Sequence, residues 1–212
     1  MSGTETSGAQ MSWSQWSETA FGTPYEVWHD GLNIYQAVTT FAGSPELASA
    51  MLLEGIGEHD ALAAKVVDAL VASGHPVPSL VAALRAVHDK GGWDFAIASA
   101  SALYRETRED TWDGWLLRAL SEGPSWSFRI DAAIALRGFA ASPTRIEALA
   151  AGIGDAEYLV RYHCATTLLR YAGDQTELSE LPVFKDILDE PAADAVARHA
   201  RAASELKARA AA

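Results

Sequence analysis

The chain has 212 residues, and 28 acidic against 16 basic side chains give it a formal net charge of −12 at pH 7. Hydrophobic residues make up 49% of the chain and charged residues 21%, a composition typical of a folded globular protein. Such a negative balance argues against an extended, sequence-independent grip on DNA or anionic lipid. The single cysteine, Cys164, excludes an internal disulfide framework and a multi-cysteine zinc site.

The chain begins with a segment rich in Ser, Thr and Gly, residues 1–10, which we expect to be disordered. It has neither the basic start nor the apolar run of a signal peptide. No uninterrupted apolar stretch reaches the roughly 18 residues that a membrane-spanning helix needs. We therefore expect a cytoplasmic protein that makes no contact with a membrane.

Residues 11–43 are predicted to form a helical N-terminal cap that is both acidic and aromatic. No basic residue occurs among the first 64 residues, which contain eight acids. An acidic surface with aromatic anchors suits a basic protein partner, because aromatics supply buried area and carboxylates steer the encounter. Candidate contacts are Glu18, Glu26, Trp28 and Asp30. The alternative is that the aromatics pack inward and the acids only solvate the cap.

A repeat of about 33 residues follows the cap. Residues 44–74 and 142–173 each open with Ser-Pro, run amphipathically to Gly-Ile-Gly, and run again to a closing glycine. Less obvious copies occupy 77–106 and 111–140, and a looser fifth copy occupies 178–209. Each copy therefore reads as two helices separated by a glycine-containing break.

The second helix of each copy carries a leucine at an equivalent position. Leu70, Leu103, Leu136 and Leu168 are separated by 33, 33 and 32 residues. Apolar residues recur at spacings of three and four around them, and no segment alternates at period two for long enough to indicate a sheet. The sequence thus predicts an all-α fold, an α-solenoid of about five helical hairpins over residues 44–209.

Two copies carry a helix-start signal. Ser44-Pro45 and Ser142-Pro143 place a hydroxyl before a proline in the first helical turn, where a missing N–H is not needed. Both serines are predicted to cap their helices.

The fourth copy carries an acid, a Val-Arg pair and small residues in a recognisable order. The segment runs from Asp155 to Arg161 and continues through Ala165 and Leu168 to the closing Gly173. It resembles the second half of a HEAT repeat, particularly the bacterial PBS-lyase HEAT-like type, whose pattern has an Asp, Val-Arg, Ala-Ala and Leu. The resemblance implies a right-handed stack of hairpins with a concave inner face, and a structural role for Arg161 with Asp155.

The other copies match this pattern less well. The third copy keeps the arginine as Arg129 but has Gly123 in place of the acid, and the first two have Ala63 and Ala96 at the arginine position. The resemblance covers residues 44–209. It implies a fold and does not by itself define a function.

Three arginines recur one or two residues beyond the register leucines: Arg105, Arg137 and Arg170. Stacked helices would project them as a ladder able to hold an acidic protein segment, a phosphate or a nucleic-acid backbone. The alternative is that each guanidinium complements the C-terminal dipole of its own helix.

Three aromatic residues recur at the corner between the two helices of a copy: Trp93, Trp126 and Tyr158. They form either a stacking surface for a partner or the packing between neighbouring copies.

No motif for metal or cofactor binding stands out, so we predict no cofactor, no metal and no catalytic residue. The six histidines lack any recurring metal-ligand spacing. The acids Glu106, Glu109, Asp110 and Asp113 precede or open a helix and complement its N-terminus, with a magnesium site as the alternative. Cys164 falls at a core-like position.

These observations favour a non-enzymatic protein-binding module whose negative field attracts a basic partner. One form of this function is an immunity or inhibitor protein that covers a cationic toxin or nuclease. Two alternatives follow from the HEAT-like resemblance, because that family includes alkylpurine DNA glycosylases and subunits of phycobilin lyases. Nucleic-acid binding and chromophore attachment therefore remain open.

Overall fold

The computed structural model describes residues 11–23, 31–188 and 194–212, and no β-strand occurs in these ranges. The predicted all-α class is therefore confirmed for the described part of the chain. The described residues form twelve α-helices, joined in places by short 3₁₀ turns: α1 (Trp13–Phe21), α2 (Ile34–Gly43), α3 (Pro45–Gly57), α4 (Ala61–Ala72), α5 (Pro78–Val87), α6 (Trp93–Thr107), α7 (Asp113–Glu122), α8 (Trp126–Ala135), α9 (Pro143–Gly152), α10 (Tyr158–Tyr171), α11 (Phe184–Ile187) and α12 (Ala195–Ala210). None of them combines the length and apolarity that crossing a bilayer requires.

The helices from α3 to α10 form four consecutive antiparallel pairs, and the pairs pack side by side. The second helices α4, α6, α8 and α10 follow one another as neighbours, and α12 packs against α10. The first helices pack as α3 on α5 and as α7 on α9, and α12 also contacts α9. Residues one repeat apart in the sequence thus become spatial neighbours.

Small side chains and the register leucines explain the close packing of the second helices. Leu70, Leu103, Leu136 and Leu168 are all fully buried. Ala63 on α4 is also fully buried, and the small volume of such residues allows neighbouring helices to approach each other closely.

The buried residues form two apolar clusters that meet on opposite faces of α6. Phe95 and Leu103 belong to the N-terminal cluster, whereas Ile97 and Tyr104 belong to the C-terminal one. Trp112, in the 3₁₀ turn before α7, packs against both clusters. One face of α6 contributes residues to the N-terminal cluster and the other face to the C-terminal cluster, so this helix belongs to both halves of the core.

The two Ser-Pro signals have different outcomes. The hydroxyl of Ser142 accepts a hydrogen bond from the backbone N–H of Arg145 at 3.4 Å, as predicted. Ser44 makes no side-chain capping bond, so that prediction is wrong. Ser44 also ends α2, and its ψ of 70° differs from the extended 156° of Ser142. Because α2 is followed directly by α3, the backbone conformation of Ser44 does not place its hydroxyl near the unpaired N–H groups in the first turn of α3.

The ends of the repeat region depart from the regular pattern. In the fifth copy the first helix is only the four-residue α11, followed by the longer α12. Within the predicted N-terminal cap, α1 and α2 pack on each other and on α3. Residues 1–10, predicted to be disordered, lie outside the described residues.

Candidate protein-interaction site

An acidic cleft of about 460 Å³ opens where α1 meets the start of α4. Glu18 comes from α1, Glu58 and Asp60 from the turn before α4, and Asp94 from the first turn of α6. The one basic side chain in the lining is Lys65 on α4. The lining therefore combines four carboxylates with one ammonium group.

Trp13 fixes α1 against the rest of this cleft. Its indole Nε1 donates to Oδ2 of Asp60 at 3.0 Å, and its backbone N–H donates to Oε1 of Glu54 at 3.1 Å. Oδ1 of Asp60 accepts from the backbone N–H of Leu62 at 2.7 Å and so caps α4. Asp60 thus joins two helices, and the remaining carboxylates are available to an external group.

The other three carboxylates of the cleft face solvent. Glu18, Glu58 and Asp94 are exposed, and within the described ranges none of them forms an ion pair. Oδ1 of Asp94 accepts from the backbone N–H of Phe95 at 2.8 Å, which leaves its other oxygen without such a bond. Uncompensated carboxylates at the mouth of a cleft attract a cationic group.

Asp131 on α8 is half-buried, and burial raises the pKa of its carboxyl. Lys65 opposes that rise and Asp94 adds to it. Burial thus disfavours the anionic form of Asp131.

The four N-terminal candidates are only partly described by the structure. Glu18 lines the acidic cleft. Glu26, Trp28 and Asp30 lie outside the described residues. The sequence does not indicate that Asp94 and Glu18 line one cleft, because the two residues are far apart in the chain and the fold alone brings them to the same site.

The three corner aromatics each begin a helix but have different surroundings. Trp93 packs edge-on against Trp115 with ring centroids 5.9 Å apart. Tyr158 lies 6.0 Å from the ring of Tyr162. Trp126 is 47% exposed. Trp93 thus contacts a ring of the next hairpin and Tyr158 a ring of its own helix, whereas Trp126 is the most exposed of the three.

The predicted arginine ladder also separates into different environments. Arg105, in the last turn of α6, forms an ion pair with Asp68 in which Nε lies 2.8 Å from Oδ1. Arg137 lies in the 3₁₀ turn after α8 and bonds to Thr167 and His163. Arg170 is exposed at the end of α10 and lines the same cleft as Arg137. The structure therefore brings Arg137 and Arg170 together, whereas the charge of Arg105 is compensated.

Asp110, which precedes α7, and Asp113, which opens it, both bind an arginine. Arg145, which is 1% exposed, donates from Nε to Asp113 at 2.9 Å and from Nη2 to Asp110 at 2.5 Å. Its guanidinium also lies 5.2 Å from the ring centroid of Phe139. No local motif in the sequence marks this arginine, because its partners belong to the preceding hairpin.

The described residues contain no group of three or more His, Cys, Asp or Glu side chains arranged to hold a metal ion. Cys164 is fully buried, as predicted, and burial raises the pKa of its thiol far above the ordinary value. A buried, protonated thiol does not act as a nucleophile.

Comparison of the chain with models of known protein families, with curated proteins and with solved structures gives no match.

Proposed function

We propose that this chain is an α-solenoid of HEAT-like hairpins that acts as a non-enzymatic protein-binding module. The side-by-side packing of α4, α6, α8 and α10 supports the repeat architecture, since each second helix has the next one as its neighbour. The degenerate HEAT-like motif around Asp155 and Arg161 adds to this support.

The observation that carries the functional proposal is the acidic cleft. Glu18, Glu58 and Asp94 surround it without an ion pair to any described residue, and Lys65 is the one cation in its lining. A basic side chain of a partner protein can therefore form ion pairs with these carboxylates without first displacing a described cation of this chain. The overall net charge of −12 steers such a partner toward the surface.

The partner in this proposal is a basic protein, and one form of the function is the inhibition of a cationic toxin or nuclease by occlusion. The nucleic-acid alternative has less support. It depends on a continuous row of free guanidinium groups, and Arg105 is paired with Asp68 while Arg129 is paired with Asp155.

The binding of a fluorescent decalysine peptide, followed by anisotropy, tests the proposal. We expect binding that weakens steeply as salt is added, because exposed charges are screened. The triple variant Glu18→Gln, Glu58→Gln, Asp94→Asn is expected to bind about tenfold more weakly. Equal binding by this variant and the wild type would reject the acidic cleft as the site.

A matched variant separates the site from the net charge. Glu106→Gln, Glu157→Gln and Glu180→Gln together remove the same number of charges from exposed positions outside the cleft. We expect this variant to bind decalysine nearly as well as the wild type. If it loses as much affinity as the cleft variant, the attraction belongs to the whole surface.

A further inference from the structure

A second cleft, of about 470 Å³, lies at the C-terminal end of α10. Arg137 and Arg170 both line it, together with the turn that follows α10. They belong to successive hairpins, so the side-by-side packing of α8 and α10 brings both side chains to one cleft. This cleft shares no lining residue with the acidic cleft.

The guanidinium of Arg137 is held by neutral groups. Nε donates to Oγ1 of Thr167 at 3.1 Å, and Nη2 donates to Nδ1 of His163 at 2.7 Å. Since Nδ1 accepts this bond, the neutral ring of His163 carries its proton on Nε2. The side chain is therefore fixed in place while its positive charge stays uncompensated.

Three other arginines of the hairpins differ in this respect. Arg105, Arg129 and Arg145 each bind at least one carboxylate within 3 Å. Arg137 forms no ion pair with any described residue, and its Nη1 makes no hydrogen bond within the described ranges. Burial and, to a lesser extent, the nearby Arg170 both lower the pKa of Arg137.

The remaining polar groups of the cleft include two carboxylates, of which one is already engaged. Asp174 accepts from the backbone N–H of Thr176 at 2.9 Å and from Nη1 of Arg209 at 3.2 Å. Glu177 is exposed and forms no ion pair within the described part of the chain. The cleft therefore contains two guanidinium groups and one carboxylate that form no ion pair with a described residue. The guanidinium groups attract an anionic ligand, and the carboxylate repels it.

We propose that Arg137 and Arg170 bind the phosphate monoester of a small molecule in this cleft. A phosphate monoester carries a charge of about −1.5 to −2 at neutral pH, opposite in sign to that of the two guanidinium groups. The planar fork of Arg170 fits phosphate oxygens bidentately, and Nη1 of Arg137 is a further donor. The volume of the cleft lies within the usual range for small-molecule sites.

Calorimetric titration with adenosine 5′-monophosphate and with inorganic phosphate tests the proposal, and adenosine serves as the probe that lacks the phosphate. We expect both phosphate compounds to bind and adenosine not to bind. If adenosine binds as tightly as its monophosphate, or if neither phosphate compound binds at millimolar concentration, the proposal is overturned.

Variants of the lining identify the site. Arg170→Gln removes an exposed guanidinium and should weaken phosphate binding about tenfold or more, whereas Arg201→Gln, also exposed, should leave it unchanged. Glu177→Gln should strengthen binding a few-fold, since it removes the opposing charge. Unchanged binding by Arg170→Gln, or weaker binding by Glu177→Gln, would contradict the assignment.

A duplex oligonucleotide distinguishes a small phosphate monoester from a nucleic-acid backbone. We expect adenosine 5′-monophosphate to retain its affinity in the presence of excess duplex. Efficient competition by the duplex would assign the cleft to a phosphodiester chain and overturn the small-molecule proposal. The variant that neutralises the acidic cleft should still bind the monophosphate, so the two proposals can fail separately.

Discussion

Arg129 of the third hairpin and Asp155 of the fourth form a two-point ion pair. Nε of Arg129 lies 2.7 Å from Oδ2 of Asp155, and Nη2 lies 3.2 Å from Oδ1. Both side chains are less than one-fifth exposed, at 19% and 14%. Arg129 also donates to the carbonyl of Gly123 at 2.9 Å. The pair therefore fixes the start of α8 to the loop before α10.

Asp155→Asn should destabilise the protein by about 1–3 kcal/mol, because it removes the charge of a partly buried, hydrogen-bonded pair. The asparagine oxygen still accepts from the backbone N–H of Glu157, as Oδ1 of Asp155 does at 2.9 Å. Urea denaturation measures the change in the free energy of unfolding. Glu157→Gln, at an exposed neighbouring position, should change it by less than about 0.5 kcal/mol. Equal stability of both variants would show that the pair contributes nothing.

Arg145→Met should cost about 2–4 kcal/mol, because Asp113 loses its partner in a mostly buried place. Thermal and urea unfolding both report this loss. Arg201→Met serves as the control, since the Arg201 side chain is 60% exposed and its pair with Asp186 lies at the surface. A loss no larger than that of the control would contradict the structural role of Arg145.

The two glycines of the first Gly-Ile-Gly motif should respond in opposite ways to alanine. A Cβ on Gly55 would lie 2.6 Å from the indole of the buried Trp13, whereas a Cβ on Gly57 meets nothing within 4 Å. Gly55→Ala should therefore destabilise the protein by about 1–3 kcal/mol through overpacking. Gly57→Ala should stabilise it by about 0.5–1 kcal/mol through its helix propensity. Chemical denaturation of the two variants side by side measures both effects, and a Gly55→Ala variant at least as stable as the wild type would contradict the close contact of α1 with α3.

The sequence predicted well the features that depend on periodicity within one helix. The buried leucines, the buried Cys164 and the cap by Ser142 follow from local spacing and turn chemistry. The predicted cap by Ser44 was wrong because this residue both ends α2 and begins α3, a constraint that depends on the packing of α2 on α3.

Contacts between hairpins were harder to predict, because the partner of a side chain depends on how neighbouring hairpins align in space. The resemblance associated Asp155 with Arg161. In the structure the carboxylate of Asp155 binds Arg129, and Arg161 donates instead to the backbone carbonyl of Asp155 at 2.8 Å and to that of Ile187 at 3.0 Å. A structural role for Arg161 agrees with these contacts, although the atoms involved differ from those expected.

The equivalence of the three ladder arginines along the sequence did not extend to their partners. Arg105 bonds to Asp68 on α4, the preceding second helix, whereas Arg137 bonds to His163 and Thr167 on α10, the following second helix. Which side chain faces an arginine depends on the neighbouring helix. A periodic spacing alone therefore predicts position but not charge compensation.

Acidification should destabilise the protein in part through His163. Burial, with Arg137 adding to it, lowers the pKa of His163 below its ordinary value of 6.5. Between that lowered pKa and 6.5 the unfolded chain binds more protons than the folded one, so this contribution to stability is lost as the pH falls through the window. An NMR titration of the His163 ring should give a midpoint below 6.5. A midpoint at or above 6.5 would contradict the neutral, acceptor role of Nδ1.

His163→Gln should make the stability less sensitive to acid, because the amide oxygen can accept from Arg137 and does not titrate. Urea denaturation at about pH 7.5 and at about pH 5.5 measures the difference between wild type and variant. The wild type should lose more stability on acidification than the variant does. An equal loss in both would show that His163 does not contribute.

The acidic cleft is tested most directly by recording amide ¹⁵N–¹H shifts while decalysine is added. We predict that the largest changes map to the amides around Glu18, Glu58, Lys65 and Asp94, and that they disappear when salt is raised or when the three cleft carboxylates are neutralised. Changes centred on another face, or changes of the same size in the neutralised variant, would contradict the account of this protein as a module that binds a basic partner through that cleft.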